Sequence, residues 1–352
     1  MPPAKKAKIL KPDAYDTVKN AHASDGSYKR TESRFKPKVE TLELDQSTPG
    51  RYHLHVALAC PWADGALSVI FLKGLEDYVT HSVTHPTWQR TRPDLEGDVH
   101  TGWVYAKEGD KPLSSSAGHG SFDCDGCIPP GGEYQSIRDL YVGVGEMNGP
   151  FTTPVLFDKQ ENKIVSNEST VILRILNDKF NKAAKHPDLN LYPAELEQEL
   201  QTLNDTVVYP CINNGVYRSG FAKTQGAYDT AVGELFDALD SMEDRLGNAR
   251  FLGGDSFTWL DLRLFHTLVR FDPVYVVYFK CNKKRIQDYP NLLGFVRDVY
   301  SIEPVKRSIN MKHIKTHYFT SHPSLNGHSI IPVGSGPDLD VPSGRGEPVK
   351  LA

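Results

Sequence analysis

No stretch of the 352-residue sequence approaches the run of about eighteen apolar residues expected of a membrane-spanning helix. The Lys-rich, Pro-broken start MPPAKKAKILKPD has no apolar secretory core, so the chain is expected to stay in the cytoplasm, away from membranes. Cysteine is scarce: five residues, at 60, 124, 127, 211 and 281, an odd number at irregular spacing. That argues against a disulfide framework and fits a reducing compartment. Excess basic charge is missing too; a net charge of −4 leaves no electrostatic footprint for nucleic acid and favours a small-molecule partner. What remains, 39% hydrophobic and 24% charged residues, is ordinary for a soluble chain long enough for two cores.

The stretch Arg51 to Gly74, RYHLHVALACPWADGALSVIFLKG, is the most informative. Tyr52, Leu54, Val56 and Leu58 alternate with His53, His55, Ala57 and Ala59, which predicts a strand. Pro61 suits a helix's first turn, Trp62, Ala66, Val69, Ile70 and Leu72 follow at helical spacing, and Gly74 reads as the stop. Cys60 therefore sits at a strand-to-helix junction, where free N–H groups and the helix dipole favour an anionic sulfur. Cysteines so placed have pKa values of about 3.5 to 7.5 instead of about 8.5, and a thiolate is expected. The competing reading is a buried structural cysteine. Position 63 is alanine, so no Cys-x-x-Cys partner exists, and a mixed disulfide at Cys60 must be resolved by an outside thiol.

Residues 1 to 14 read as an arm, with Lys5, Lys6 and Lys8 solvated, and Ser24 to Val39 as an irregular strap punctuated by Tyr28 and Phe35. Tyr78 to Thr84 is a second β-prone run, giving a βαβ start. Pro86 to Gly132 loses all periodicity but carries Trp88, Trp103 and Tyr105. A connection that long is expected to be a functional lid, its tryptophans covering a ligand or packing on the core. Cys124-x-x-Cys127 lies inside it near His119, half a zinc site without a second ligand pair, so no metal is expected. Helical spacing returns from Gly132 to Met147.

Thr152 to Phe157 and Ile164 to Ser166 then predict a hairpin led by Pro154. A cis peptide there would turn the Thr153 backbone toward an extended ligand. Asn167-Glu168-Ser169-Thr170 opens the helix STVILRILNDKF, offering N–H groups, a hydroxyl and a carboxylate to an amino-acid zwitterion, or simply capping the helix. Beyond Ala194 the runs at Ala194–Tyr209, Thr224–Leu246, Thr258–Phe271 and Asn291–Tyr300 are helical. Thr258-Trp259-Leu260-Asp261 reads as a structural capping box.

A thioredoxin-like half with a cysteine at its first helix, followed by an all-helical half with that box, resembles the glutathione transferase superfamily. The segments ACPWA, TPVLFD, VSNES, INNGVYRSGFA, RFDPVYVVYFKCNKKRI, DYPNL and HIKTHYF are similar to those of the glutathionyl-hydroquinone reductases, the Xi-class transferases, from about Gly26 to Ile331. The loop Ser114 to Gly132 and the Pro/Gly-rich sequence from Pro332 onward depart from that pattern. The resemblance implies an α/β plus all-α architecture: an arm and strap over 1–40, a thioredoxin-like glutathione-binding domain with a lid insertion over 41–185, a helical bundle over 190–331 and a flexible tail over 332–352. It implies that Cys60 is the nucleophile that takes the glutathionyl group, that Trp103, the backbone from Phe151 through Thr152 to Thr153, Glu168 and Ser169 bind glutathione, that Tyr217 gives and accepts the proton, and that Tyr275 and Tyr318 lower the cysteine's pKa. Glutathione is then a co-substrate, no metal is needed, glutathionyl-hydroquinones are the substrates and the protein is a homodimer. Lys280, Lys283, Lys284 and Arg285 are either near its contact or a solvated basic loop. An omega-like thiol transferase or dehydroascorbate reductase, and a non-catalytic binding protein on the same fold, are the alternatives.

Overall fold

The computed structural model describes residues 22–347 and 349; the arm over 1–14 lies outside them. Strand β1 (Tyr52–Val56) leads through the turn at Leu58 and Ala59 to helix α1 (Pro61–Lys73), which closes on Gly74 in a left-handed conformation (φ 63°). β2 (Val79–Val83) returns parallel to β1, closing the expected βαβ unit. The two-residue strands β3 (Gln89–Arg90) and β4 (Thr101–Gly102) pair within the lid, and α2 (Ile137–Gly143) follows, shorter than its sequence pattern. β5 (Val155–Asp158) and β6 (Lys163–Ser166) form the expected hairpin. β5 runs antiparallel to β1, so the sheet order is β2-β1-β5-β6. α3 (Ser169–Asp178) completes this half.

All five residues of β1 are buried, the histidine face included. The lid supplies part of that cover: His55 Nδ1 lies 2.7 Å from the Tyr105 hydroxyl. α1 is apolar on nearly every side because it is enclosed by the sheet, α3 and the helical half. Its two buried charges are both answered. Lys73 Nζ donates to the Leu189 carbonyl at 2.7 Å, and Asp64 pairs with Arg270.

The helical half runs α4 (Glu197–Leu203), α5 (Gly215–Gly220), α6 (Gln225–Asn248), α7 (Trp259–Leu268), the single turn α8 (Val276–Tyr278), α9 (Pro290–Tyr300), α10 (Glu303–Lys306) and α11 (Met311–Thr320). Two of the expected helical runs end in wider turns. Asn204–Asn213 and Phe271–Tyr275 are π-helical, and each contains a proline, Pro210 and Pro273, which has no N–H to donate and displaces the preceding turn. Both prolines stand just before a segment that reaches the site.

The capping box at α7 is present and buried. Asp261 accepts from the Thr258 N–H and hydroxyl, each at 2.8 Å, and from the Leu252 N–H at 2.8 Å. Asp261→Ala is expected to strand these donors in the core and lower stability by about 2–4 kcal/mol, read from denaturant midpoints at unchanged m-value.

The sequence from Pro332, expected to be flexible, is tethered over 338–347. Arg345 Nη2 donates to the Leu246 and Ala249 carbonyls at 2.8 and 2.6 Å, and Arg297 Nε to Asp338 O at 3.0 Å. The carbonyls left open at the end of α6 give a guanidinium its acceptors.

Candidate active site

Cys60 is the residue that caps α1. Its carbonyl accepts from the Ala63 and Asp64 N–H groups at 3.0 and 3.1 Å, and its thiol donates to the Thr153 carbonyl at 3.5 Å. Arg270 fixes the turn that delivers it: Nη2 and Nε donate to the Leu58 and Ala59 carbonyls, both at 3.2 Å, Nη1 to His266 O at 2.6 Å, and the remaining contact is Asp64. The residue is half-buried, not sealed inside the core, which fits a reacting sulfur better than a purely structural one. Its ionisation differs from expectation. Burial pushes the thiol up; the Ala63 N–H pulls it down, Asp64 pushes it further up, and Thr153 and the Trp62 N–H pull down. The helix end acts in the predicted direction, but the sulfur lies in a drier place than the local sequence suggests.

Cys60 opens on a cavity of about 190 Å³ whose lining includes Trp103, Phe151, Thr152, Thr153, Tyr217 and Tyr318. A second cavity of about 480 Å³ shares Arg30, Thr31, Trp62, Thr152 and Thr153 with the first and runs on to Glu168 and Ser169. The structure thus brings all the sequence-predicted residues but one to two adjoining hollows. Trp103 lies 4.3 Å from the His317 ring in a stack, and the Thr153–Pro154 peptide is cis. Glu168 caps α3, accepting from the Thr170 N–H at 3.4 Å, so capping and an open face toward the cavity coexist there.

The exception is Tyr275. It is completely buried, stacked on Phe279 at 5.4 Å and 4°, and lies behind the cavity wall. It reaches the site through a chain of hydroxyls: Tyr275 to Tyr318 at 3.1 Å and Tyr318 to Tyr217 at 2.6 Å. Burial pushes all three phenols up, so they act as neutral donors. Only Tyr217 is also pulled back by a neighbouring guanidinium as the next largest influence, that of Arg30.

Several residues at the site carry no local sequence signal. Arg30, from the strap, lies 4.7 Å from the Tyr217 ring centre and 5.1 Å from that of Trp62. Arg263 comes from α7, with its guanidinium 5.2 Å from Trp62 and 5.6 Å from Tyr209, and donates to Ser169 Oγ at 3.5 Å. The lid loop that departs from the family pattern is clasped by α11, which carries Tyr318. Lys312 Nζ donates to Asp125 at 2.9 Å, and His313 Nε2 lies 2.6 Å from the Asp125 carbonyl. Cys124 and Cys127 are buried free thiols there, and among the described residues no three His, Cys, Asp or Glu gather as a metal-ligand set.

Residues 59–179 match the glutathione S-transferase N-terminal domain and 225–298 its C-terminal domain. The glutathionyl-hydroquinone reductase YqjG of Escherichia coli is 38% identical over 94% of this chain and 96% of its own. Its glutathione-bound structure superposes with a TM-score of 0.74, covering 85% and 89% of the two chains. This chain belongs to the glutathionyl-hydroquinone reductases, the Xi-class glutathione transferases. The reductase PcpF of Sphingobium chlorophenolicum is 39% identical over 92% of this chain and 94% of its own. The Xi transferase of Phanerochaete chrysosporium is 40% identical, with a TM-score of 0.76 over 92% and 95% of the chains. The Xi-class fold, a mixed four-stranded sheet followed by a helical half, is the one described above.

Proposed function

We propose that this protein reduces glutathionyl-hydroquinones to hydroquinones with glutathione as co-substrate. The observation that carries the reading is that Cys60 and the Tyr217–Tyr318 hydroxyl pair open on one cavity, which shares Arg30, Trp62, Thr152 and Thr153 with the hollow at Glu168 and Ser169. The half over 41–185 then supplies the glutathione site and the nucleophile, and that over 190–331 the proton. The glutathionyl arm lies along Phe151 to Thr153, with Trp103 at one side and its amino-acid end at Glu168 and Ser169.

In the first half-reaction the Cys60 thiolate attacks the glutathione sulfur. The S–S bond forms, the C–S bond breaks, and its electron pair stays with the ring carbon, which takes the Tyr217 proton. Hydroquinone leaves. In the second, glutathione gives its thiol proton to the Tyr217 phenolate and attacks the mixed disulfide, releasing glutathione disulfide and the Cys60 thiolate. The hydrogen-bond pattern fits this order. Either hydroxyl can donate in each contact; with Tyr275 donating to Tyr318 and Tyr318 to Tyr217, the Tyr217 proton is left free to point at the ligand. After transfer the same two bonds stabilise the phenolate.

Competition between substrates separates this from an omega-like thiol transferase. Turnover of a glutathionyl-hydroquinone is expected to exceed that of a simple glutathione mixed disulfide; a strong preference for the mixed disulfide refutes the reading. We further propose a homodimer, checked by light scattering on the purified chain.

A further inference from the structure

A thiolate in the Cys60 cavity needs a positive charge that the elements carrying the sulfur do not provide. Burial and Asp64 both oppose the anion, and the phenols, kept protonated by burial, offer hydrogen bonds but no charge.

Among the described residues lining that cavity, Arg30 alone carries a guanidinium or ammonium group, and none carries a carboxylate. Its Nε donates to Asn214 Oδ1 at 3.1 Å, which fixes the side chain across the strap, while Nη1 and Nη2 make no hydrogen bond among the described residues. Burial opposes its charge, and the fields of Tyr28, Tyr217, Tyr209 and Cys60 outweigh that opposition.

We propose that Arg30 is a positioning residue that acts through Cys60 and Tyr217, its open Nη groups stabilising the thiolate before attack and its guanidinium, over the Tyr217 ring, stabilising the phenolate after proton transfer. The second role deepens the proton path given above and rests on that reading; the first needs only the cysteine.

Apart from His322, the other charged and titratable groups around the sulfur are committed elsewhere or neutral. Arg270 is committed to Asp64 and three backbone carbonyls. Arg263 faces Ser169 in the adjoining hollow. His100 from the lid is held neutral, down to about 4, chiefly by burial, and burial holds His317 of α11 and His266 of α7 well below the ordinary range. His322 lines the same cavity after α11, its ring edge-on to Trp88 at 5.0 Å. Tyr318 and Tyr275 stay protonated.

The test is the pH dependence of iodoacetamide alkylation at Cys60, followed by peptide mass spectrometry on the ligand-free protein, for the native chain, Arg30→Gln and Arg30→Lys. Arg30→Gln is expected to move the profile up by about one pH unit, about tenfold slower alkylation at any pH below the midpoint, with Arg30→Lys recovering most of the loss. A profile for Arg30→Gln that superposes on the native one overturns the proposal, as does a weaker Kd for glutathione by isothermal titration with the profile unmoved. Should Arg30→Gln fail to fold, Asn214→Ala releases the same guanidinium and is expected to shift the profile upward by a smaller amount; no shift there also overturns it. Because no hydroquinone is used, failure of the reductase reading leaves this result readable on its own.

Discussion

Cys60→Ser is expected to lower turnover of a glutathionyl-hydroquinone by about 10⁴-fold or more while leaving glutathione affinity within about threefold. The two halves of that expectation come from different parts of the site. Serine keeps the cap of α1 and the contact to the Thr153 carbonyl, and it leaves Trp103, Glu168 and Ser169 untouched, so the hollow that receives the peptide is preserved. What is lost is a polarisable anion able to form a bond to sulfur; a serine hydroxyl is scarcely ionised near neutral pH and gives no disulfide. A binding protein that merely kept this fold predicts no change in any measured property of the variant. Isothermal titration with glutathione beside steady-state kinetics tells the two apart.

Tyr217→Phe is expected to lower kcat with a glutathionyl-hydroquinone by about 10²- to 10⁴-fold, the usual worth of a positioned proton donor. Its effect on a simple glutathione mixed disulfide is expected to be much smaller, because there the leaving group is a sulfur anion that needs no proton on carbon. Tyr275→Phe removes only the far end of the hydroxyl chain, 3.1 Å behind Tyr318 and outside the cavity, so its loss with the hydroquinone conjugate should be the smaller of the two. Equal losses for Tyr217→Phe on both substrates would remove Tyr217 from the proton path.

Those residues were legible in the sequence to different degrees, and the reason is distance along the chain. The strand, Cys60, Pro61 and helix α1 lie within one continuous segment, and so do the Pro154 hairpin, Glu168 with Ser169, and the Thr258–Asp261 box; periodicity and capping chemistry suffice for each. Tyr275 shows where local reading divides. An aromatic run argues for packing, and the ring is packed, yet its hydroxyl also reaches Tyr318, 43 residues on. Arg30 lies beyond such reasoning, because its place is fixed by Asn214, 184 residues away, and by an indole and a phenol on two separate helices. The strap's own residues have no periodicity that says which surface they cross.

The same limit explains two of the expectations that the structure altered. A thiolate at a helix start follows from backbone geometry alone, but how dry the sulfur is depends on the strap and the helical half that close over it. The tail reads as flexible from its prolines and glycines, whereas its docking depends on Arg345 meeting the open carbonyls at the end of α6.

The measurement that bears most directly on the account is the mass of the intact protein after exposure to a glutathionyl-hydroquinone with no free glutathione present. One glutathionyl group per chain, confined to Cys60, with an equal amount of hydroquinone released and the adduct discharged on adding glutathione, is the predicted result. Hydroquinone released without any adduct, or an adduct on another cysteine, would contradict it.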